Sequence, residues 1–159
     1  KNLSSSALET HKDELQKEYF ESYDTALHNN TIYQHLKNNE IATLVCDALE
    51  YYHEKEYYIH CYCVMPNHVH FIFHYFDEAK KSISKIMQSI KGFTAREANK
   101  ILSKKGTFWQ SENFDHIIRN GVELKNTIDY VLKNPVKSGL VANWEDWPYI
   151  YHTLSRTRQ

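Results

Sequence analysis

No run of apolar residues in this 159-residue chain approaches the length of a membrane span, and no charged-then-apolar leader opens it. A membrane partner and a secretory route are therefore not expected. Cysteine is scarce as well. Cys46, Cys61 and Cys63 are an odd count without a CxxC pair, which argues against a disulfide framework and for a reduced cytoplasmic compartment. There is no internal repeat and no low-complexity tract. Net charge is nearly absent too, at −1, which taken alone speaks against a partner as anionic as nucleic acid.

What is present changes that reading. At 42% hydrophobic, the chain suits one globular domain over 1–159 with a real core. Its charge is unevenly spread. Residues 1–57 hold 5 Lys/Arg against 11 Asp/Glu, whereas residues 79–105 hold 8 basic side chains against Glu97 alone. Local field steers a polyanion, so a binding face is compatible with a neutral average. Lysines solvating the outer face of a helix would give the same count.

Apolar residues spaced four apart predict a first helix over 7–28, with Leu15, Tyr19, Tyr23 and Leu27 as its marks. Residues 39–53 predict a second helix. Tyr57–Val64 and His68–Phe76, rich in aromatic and β-branched residues and separated by Pro66-Asn67, predict a β-hairpin. A long amphipathic helix is expected over 79–103, then a partly extended stretch from Phe108 to Ile118. A last helix should open at Asn120 or Gly121 and end near Asn134, before Pro135. Trp144, Trp147 and Tyr149 suggest a tail packed on the body.

Two constellations carry chemistry. Side chains alternate along a strand, so His68 and His70 share a face and can reach one cation while Val69, Phe71 and Phe73 enter the core. Ten histidines make such a pair weak evidence by itself. Cys61 and Cys63 with the same histidines offer a rival, a structural zinc site; buried unliganded cysteines are the simpler reading. On the last helix Leu124, Ile128, Val131 and Leu132 form the buried stripe, and Glu123, Thr127, Tyr130 and Asn134 lie opposite. Asn134, one turn beyond Tyr130, could add a hard oxygen ligand to the two imidazoles. A phenol with a pKa near 10 needs a cation or a base beside it to act as a nucleophile. Tyr130 is one of 12 tyrosines, so position alone does not select it.

Together these residues resemble the HUH single-tyrosine transposases, closest to the REP-associated tyrosine transposases. The resemblance runs from about Tyr57 to Tyr149. It is carried by Val64-Met65-Pro66-Asn67-His68-Val69-His70, by Ile90-Lys91-Gly92-Phe93-Thr94-Ala95 with Ala98-Asn99, by Phe108-Trp109-Gln110 with Phe114-Asp115 and Ile118-Arg119, and by Tyr130-Val131-Leu132-Lys133-Asn134-Pro135-Val136 with Gly139-Leu140-Val141. It implies an α+β, ferredoxin-like sandwich with a mainly antiparallel sheet and helices packed on it. A strand normally precedes the first helix in this family; here the chain enters the helix almost at once, so that strand is expected to be missing or outside this segment. The resemblance also implies Mg²⁺ or Mn²⁺ held by His68, His70 and Asn134. Tyr130 would attack single-stranded DNA bearing hairpins and keep a 5′-phosphotyrosine link, in a bacterial, cytoplasmic, nucleoid-associated protein. Lys91 and Arg96 of the basic helix, with Arg119 and Lys133, are the expected DNA contacts. The active form is either a monomer or a homodimer in which one tyrosine serves the other chain's metal site. The competing functions are a non-catalytic DNA-hairpin-binding protein of the same fold and a small zinc-stabilised interaction domain.

Overall fold

A computed structural model describes residues 33–111 and 113–153, together with Ser22, Ala26 and Leu27, which are helical. Most of the helix expected over 7–28 thus lies outside the described residues. The chain divides into two units, Lys1–Tyr33 and Gln34–Gln159, and the candidate functional residues all fall in the second.

Helix α1, Asn39–Glu50, starts where the side chain of Asn38 accepts hydrogen bonds from the backbone N–H groups of Glu40 (2.9 Å) and Ile41 (3.2 Å). Such a cap contributes about 1 kcal/mol by meeting donors that the first turn leaves unpaired. Strands β1, Tyr57–Val64, and β2, Val69–Tyr75, form the expected antiparallel hairpin, with Val64 opposite Val69 and Cys63 opposite His70. Helix α2, Ile83–Ile101, is capped by Ser82 and is shorter at its start than its amphipathic pattern suggested. The preceding residues are held differently: the carboxylate of Glu56 accepts from the backbone of Lys80 and Lys81. Helix α3 spans Gly121–Lys137 and β3 spans Ile150–His152.

The three strands run in the order β2-β1-β3, antiparallel throughout. This is the α+β, antiparallel architecture the resemblance implied. Strand alternation divides the hydrophobic residues into two cores. On one face Tyr57, Ile59, Tyr62 and Val64 meet Ile41, Val45 and Leu49 of α1 and Ile86, Ile90 and Ala98 of α2, with Phe71 and Phe73 packed against them. On the other, Cys61, Cys63, Met65 and Ile72 meet Val131 and Leu132 of α3, with Trp144 and Trp147 alongside. Each fully buried large aliphatic or aromatic side chain contributes about 1.5–3 kcal/mol, so each helix is fixed chiefly by its apolar stripe. The tail does pack on the body, where Trp147 Nε1 donates to Val64 O at 3.0 Å.

One expectation needs correction, and a second is made more specific. Pro135 does not stop α3 but lies within it, fully buried. A proline forfeits one N–H and disfavours helical backbone before it. Here burial of its ring and a well-formed helix end compensate. Gly139 at φ 66° lets its own N–H reach Val136 O and the N–H of Leu140 reach Pro135 O, the two bonds of a Schellman motif. The stretch from Phe108 to Ile118 contains no strand among its described residues. Its aromatic residues are anchors instead: Phe108 and Trp109 pack on the first core, and Trp109 Nε1 donates to the buried hydroxyl of Thr94 at 2.9 Å.

A histidine group lies along the strands beyond the α3 core. Burial lowers the pKa of His60, and the neighbouring His74 and His152 lower it further. His152 is lowered by burial as well, against a raising effect of Asp129. A histidine with a depressed folded pKa binds fewer protons than in the unfolded chain. Its stabilising contribution is whole above the unfolded value near 6.5 and fades as pH falls through it. Thermal melts should therefore shift to lower temperature from pH 7.5 to pH 5.5, and His60→Gln should flatten that dependence. Parallel pH profiles for the two proteins would refute the assignment to His60.

Candidate active site

The hairpin turn places His68 immediately before β2, and its carbonyl accepts from Met65 N–H at 2.8 Å, closing the loop. His68 and His70 then project to the α3 side with their rings at 90° and their Nε2 atoms 3.1 Å apart. Asn67, the turn residue, meets His68 Nδ1 with its Oδ1 at 2.7 Å. An imidazole that donates from Nδ1 carries its lone pair on Nε2, so this contact aims the lone pair of His68 at His70.

Helix α3 supplies the other wall. Asn134, 1% exposed, places Nδ2 2.8 Å from His70 Nε2, while its Oδ1 is buried without a hydrogen-bond partner. One turn earlier, Tyr130 is half-buried and its ring stands edge-on to His70, with centroids 6.3 Å apart at 90°. Lys137, two turns beyond Tyr130, holds its ammonium 4.2 Å from the centroid of the tyrosine ring. The tertiary fold thus unites His68, His70, Asn134 and Tyr130 within a single chain.

This cluster fits a divalent cation. Ligand atoms adjacent in octahedral coordination at about 2.1 Å lie about 3 Å from each other, which is the spacing of the two Nε2 atoms. The orphaned amide oxygen of Asn134 is a hard ligand that a half-turn of the amide would bring to the same point. Among the described residues no three His, Cys, Asp or Glu side chains are grouped to hold a metal, so a third protein ligand beside the two imidazoles would be of another kind, and this amide is the candidate. The zinc alternative does not assemble. Cys61 and Cys63 share the face of the histidines but lie in the apolar core under α3, and among the described residues they are not grouped with the histidines to hold a metal; burial pushes the free Cys61 thiol up to about 12.

The four cations expected to contact DNA are dispersed. Lys133 is exposed on α3, and Arg119 is exposed just ahead of it. The start of α3 is anchored by Glu123, whose carboxylate accepts from Arg119 N–H at 2.8 Å and meets His116 Nε2 at 2.6 Å. Burial raises the Glu123 pKa, but the Arg119 amide and the His116 ring outweigh it and leave the group lowered. Lys91 and Arg96 belong to α2, whose core lies on the opposite face of the sheet from α3. The Lys91 ammonium donates to Gln110 O at 2.7 Å and to Asn113 Oδ1 at 3.1 Å, and Arg96 pairs with Glu97. The site's supporting residues, Asn67 and Lys137, escaped the sequence reading. Asn67 stood in the quoted motif, and Lys137 follows Tyr130 by seven residues, but only geometry gives either a role.

An antiparallel sheet that carries a histidine pair against a helix-borne tyrosine and amide defines a class of protein. The family model for IS200-like transposases matches residues 23–134, which include all four of these residues, and the chain belongs to that family. More particularly, it is 29% identical over 96 residues to the REP-associated tyrosine transposase of Escherichia coli, covering 60% of this chain and 54% of that protein. It is 32% identical over 95 residues to a Haemophilus influenzae protein named for the same class, covering 55% of this chain and 54% of the relative. The chain therefore spans about half the length of these curated relatives. A solved REP-associated tyrosine transposase bound to a REP hairpin shares the fold, with a TM-score of 0.59 at 24% identity over 77% of this chain and 70% of the other. No helix among the described residues is long and apolar enough to cross a membrane.

Proposed function

We propose that this protein is a metal-dependent endonuclease and strand transferase for single-stranded DNA that bears hairpins. The observation that carries the reading is the convergence of Tyr130 on His70 beside His68 and Asn134 in one chain. The hairpin bound by the solved relative supports the substrate class.

In the proposed reaction Tyr130 Oη bonds to phosphorus as the P–O3′ bond breaks. The phenol gives up its proton and the departing 3′-oxygen takes one up, leaving a 5′-phosphotyrosine and a free 3′-hydroxyl. Attack by another 3′-hydroxyl reverses these events and rejoins strands without a nucleotide cofactor, because the phosphodiester bond energy is kept in the adduct. His68, His70 and Asn134 would hold Mg²⁺ or Mn²⁺, which when bound would polarise the scissile phosphate and offset its developing charge. Asn67 keeps the His68 lone pair aimed at that point. Because the convergence is intramolecular, the reading needs no second subunit.

Arg119 and Lys133, on the site's side of the sheet, are the proposed backbone contacts near the scissile phosphate. Lys91 and Arg96, on the far face, would meet only DNA that passes around the sheet edge, and Lys91 would first have to leave Gln110 and Asn113.

The test is incubation with a hairpin-bearing single-stranded oligonucleotide and Mg²⁺ or Mn²⁺, followed by a denaturing gel. A covalent protein–DNA species is expected, and it should disappear when EDTA is present from the start. Tight binding with no covalent species under either metal would favour the non-catalytic hairpin-binding protein.

A further inference from the structure

We infer that Lys137 is a positioning residue for Tyr130, its ammonium seated on the ring so that the side chain is held in its place beside His70. The inference rests on the reading of Tyr130 as nucleophile. Seven residues are nearly two helical turns, so Tyr130 and Lys137 fall on one face of α3, and helical side chains lean toward the N-terminus. A lysine two turns on can thus reach back over the ring, and here Nζ lies 4.2 Å from its centroid. His70 meets the same ring edge-on. Together the cation and the imidazole restrict a half-buried side chain that has only two torsions to set.

The competing explanation is that Lys137 merely ends the helix, where a cation suits the helix dipole. The last turn does not need it as a cap, because backbone N–H groups of Ser138, Gly139 and Leu140 already meet the carbonyls of Asn134, Val136 and Pro135. The ammonium is instead over the tyrosine. A ring held in reacting orientation raises the rate of the chemical step without changing affinity for substrate.

The test compares Lys137→Met, which keeps the stem and loses the charge, with Lys137→Arg, which keeps a cation able to cover the ring. At saturating oligonucleotide the rate of adduct formation should fall about 3–10-fold in Lys137→Met and recover to within about twofold in Lys137→Arg, with the oligonucleotide affinity unchanged. A second readout needs neither DNA nor metal. In aromatic ¹H–¹³C spectra, the Tyr130 signal, identified by its loss in Tyr130→Phe, should move in Lys137→Met and stay near its place in Lys137→Arg. An unmoved Tyr130 signal in Lys137→Met overturns the inference, as does reduced affinity at an unaltered rate, which would make Lys137 a phosphate contact. If the wild-type protein forms no adduct, the proposed function fails, while the spectra still decide whether Lys137 sets the ring.

Discussion

Tyr130→Phe is expected to abolish the covalent adduct while leaving the fold and DNA binding in place. The substitution removes one oxygen and keeps the ring, so the edge contact with His70 and the cation contact with Lys137 can both persist. Half-buried as it is, Tyr130 contributes packing that phenylalanine reproduces, and the melting temperature should change little. In the proposed site the other groups of the cluster, two imidazoles 3.1 Å apart at Nε2 and a buried amide, are assigned as ligands, which leaves Tyr130 as the nucleophile. Losing a sole nucleophile typically costs at least about 10³-fold in the chemical step. Denaturing gels over a long time course, with binding followed separately by fluorescence anisotropy, measure both halves. Cleavage that continues in the phenylalanine variant would remove Tyr130 from the reaction and point to water or another tyrosine.

His70→Ala should be the next most damaging change, and for two separable reasons. His70 is the hub of the cluster, touching His68 and Asn134 through Nε2 and Tyr130 through its ring. Its loss takes one of three proposed ligands and should lower Mn²⁺ affinity by about 10–100-fold or more, with adduct formation falling at least as far at limiting metal. It also strips Asn134 Nδ2 of its hydrogen-bond partner. Asn134 would then be a buried amide with neither end satisfied, at a cost of about 1–3 kcal/mol visible as a lower denaturation midpoint. Calorimetric titration with Mn²⁺ tests the first effect without reference to activity, and urea denaturation tests the second. Equal Mn²⁺ affinity in wild type and His70→Ala would dismantle the metal assignment, whatever happened to the adduct.

Much of this site could be read before any coordinates, for local reasons. Side chains alternate along an unbroken stretch of strand, so His68 and His70 had to share a face once the hairpin formed, and Val69, Phe71 and Phe73 had to face the core. Helical periodicity placed Tyr130 and Asn134 one turn apart on one side of α3. The family blocks joined these two segments, and the structure brings them together at hydrogen-bond distance.

Local rules failed where a non-local contact overrode them. The three-residue β3 has too little length for a periodic signal and exists because β1 offers it an edge. Pro135 reads as a helix stop, yet burial and the Gly139 end motif carry α3 two residues past it. The stretch from Phe108 onward reads only as partly extended, and what the linear pattern does not show is that its aromatic side chains insert into the core without sheet pairing among the described residues.

The linear chain by itself determined which side chains share a face, because the repeats of strand and helix are properties of the backbone. It determined the chemistry on offer as well: two imidazoles, an amide and a phenol. Which faces meet was decided only in three dimensions. Burial of two separate apolar sets put α3 against the histidine side of the sheet and the basic α2 on the other. That choice brought a phenol to the histidine pair and set the helix of Lys91 and Arg96 against the other core, since the packing of apolar stripes, not the location of charge, selects where each helix lies.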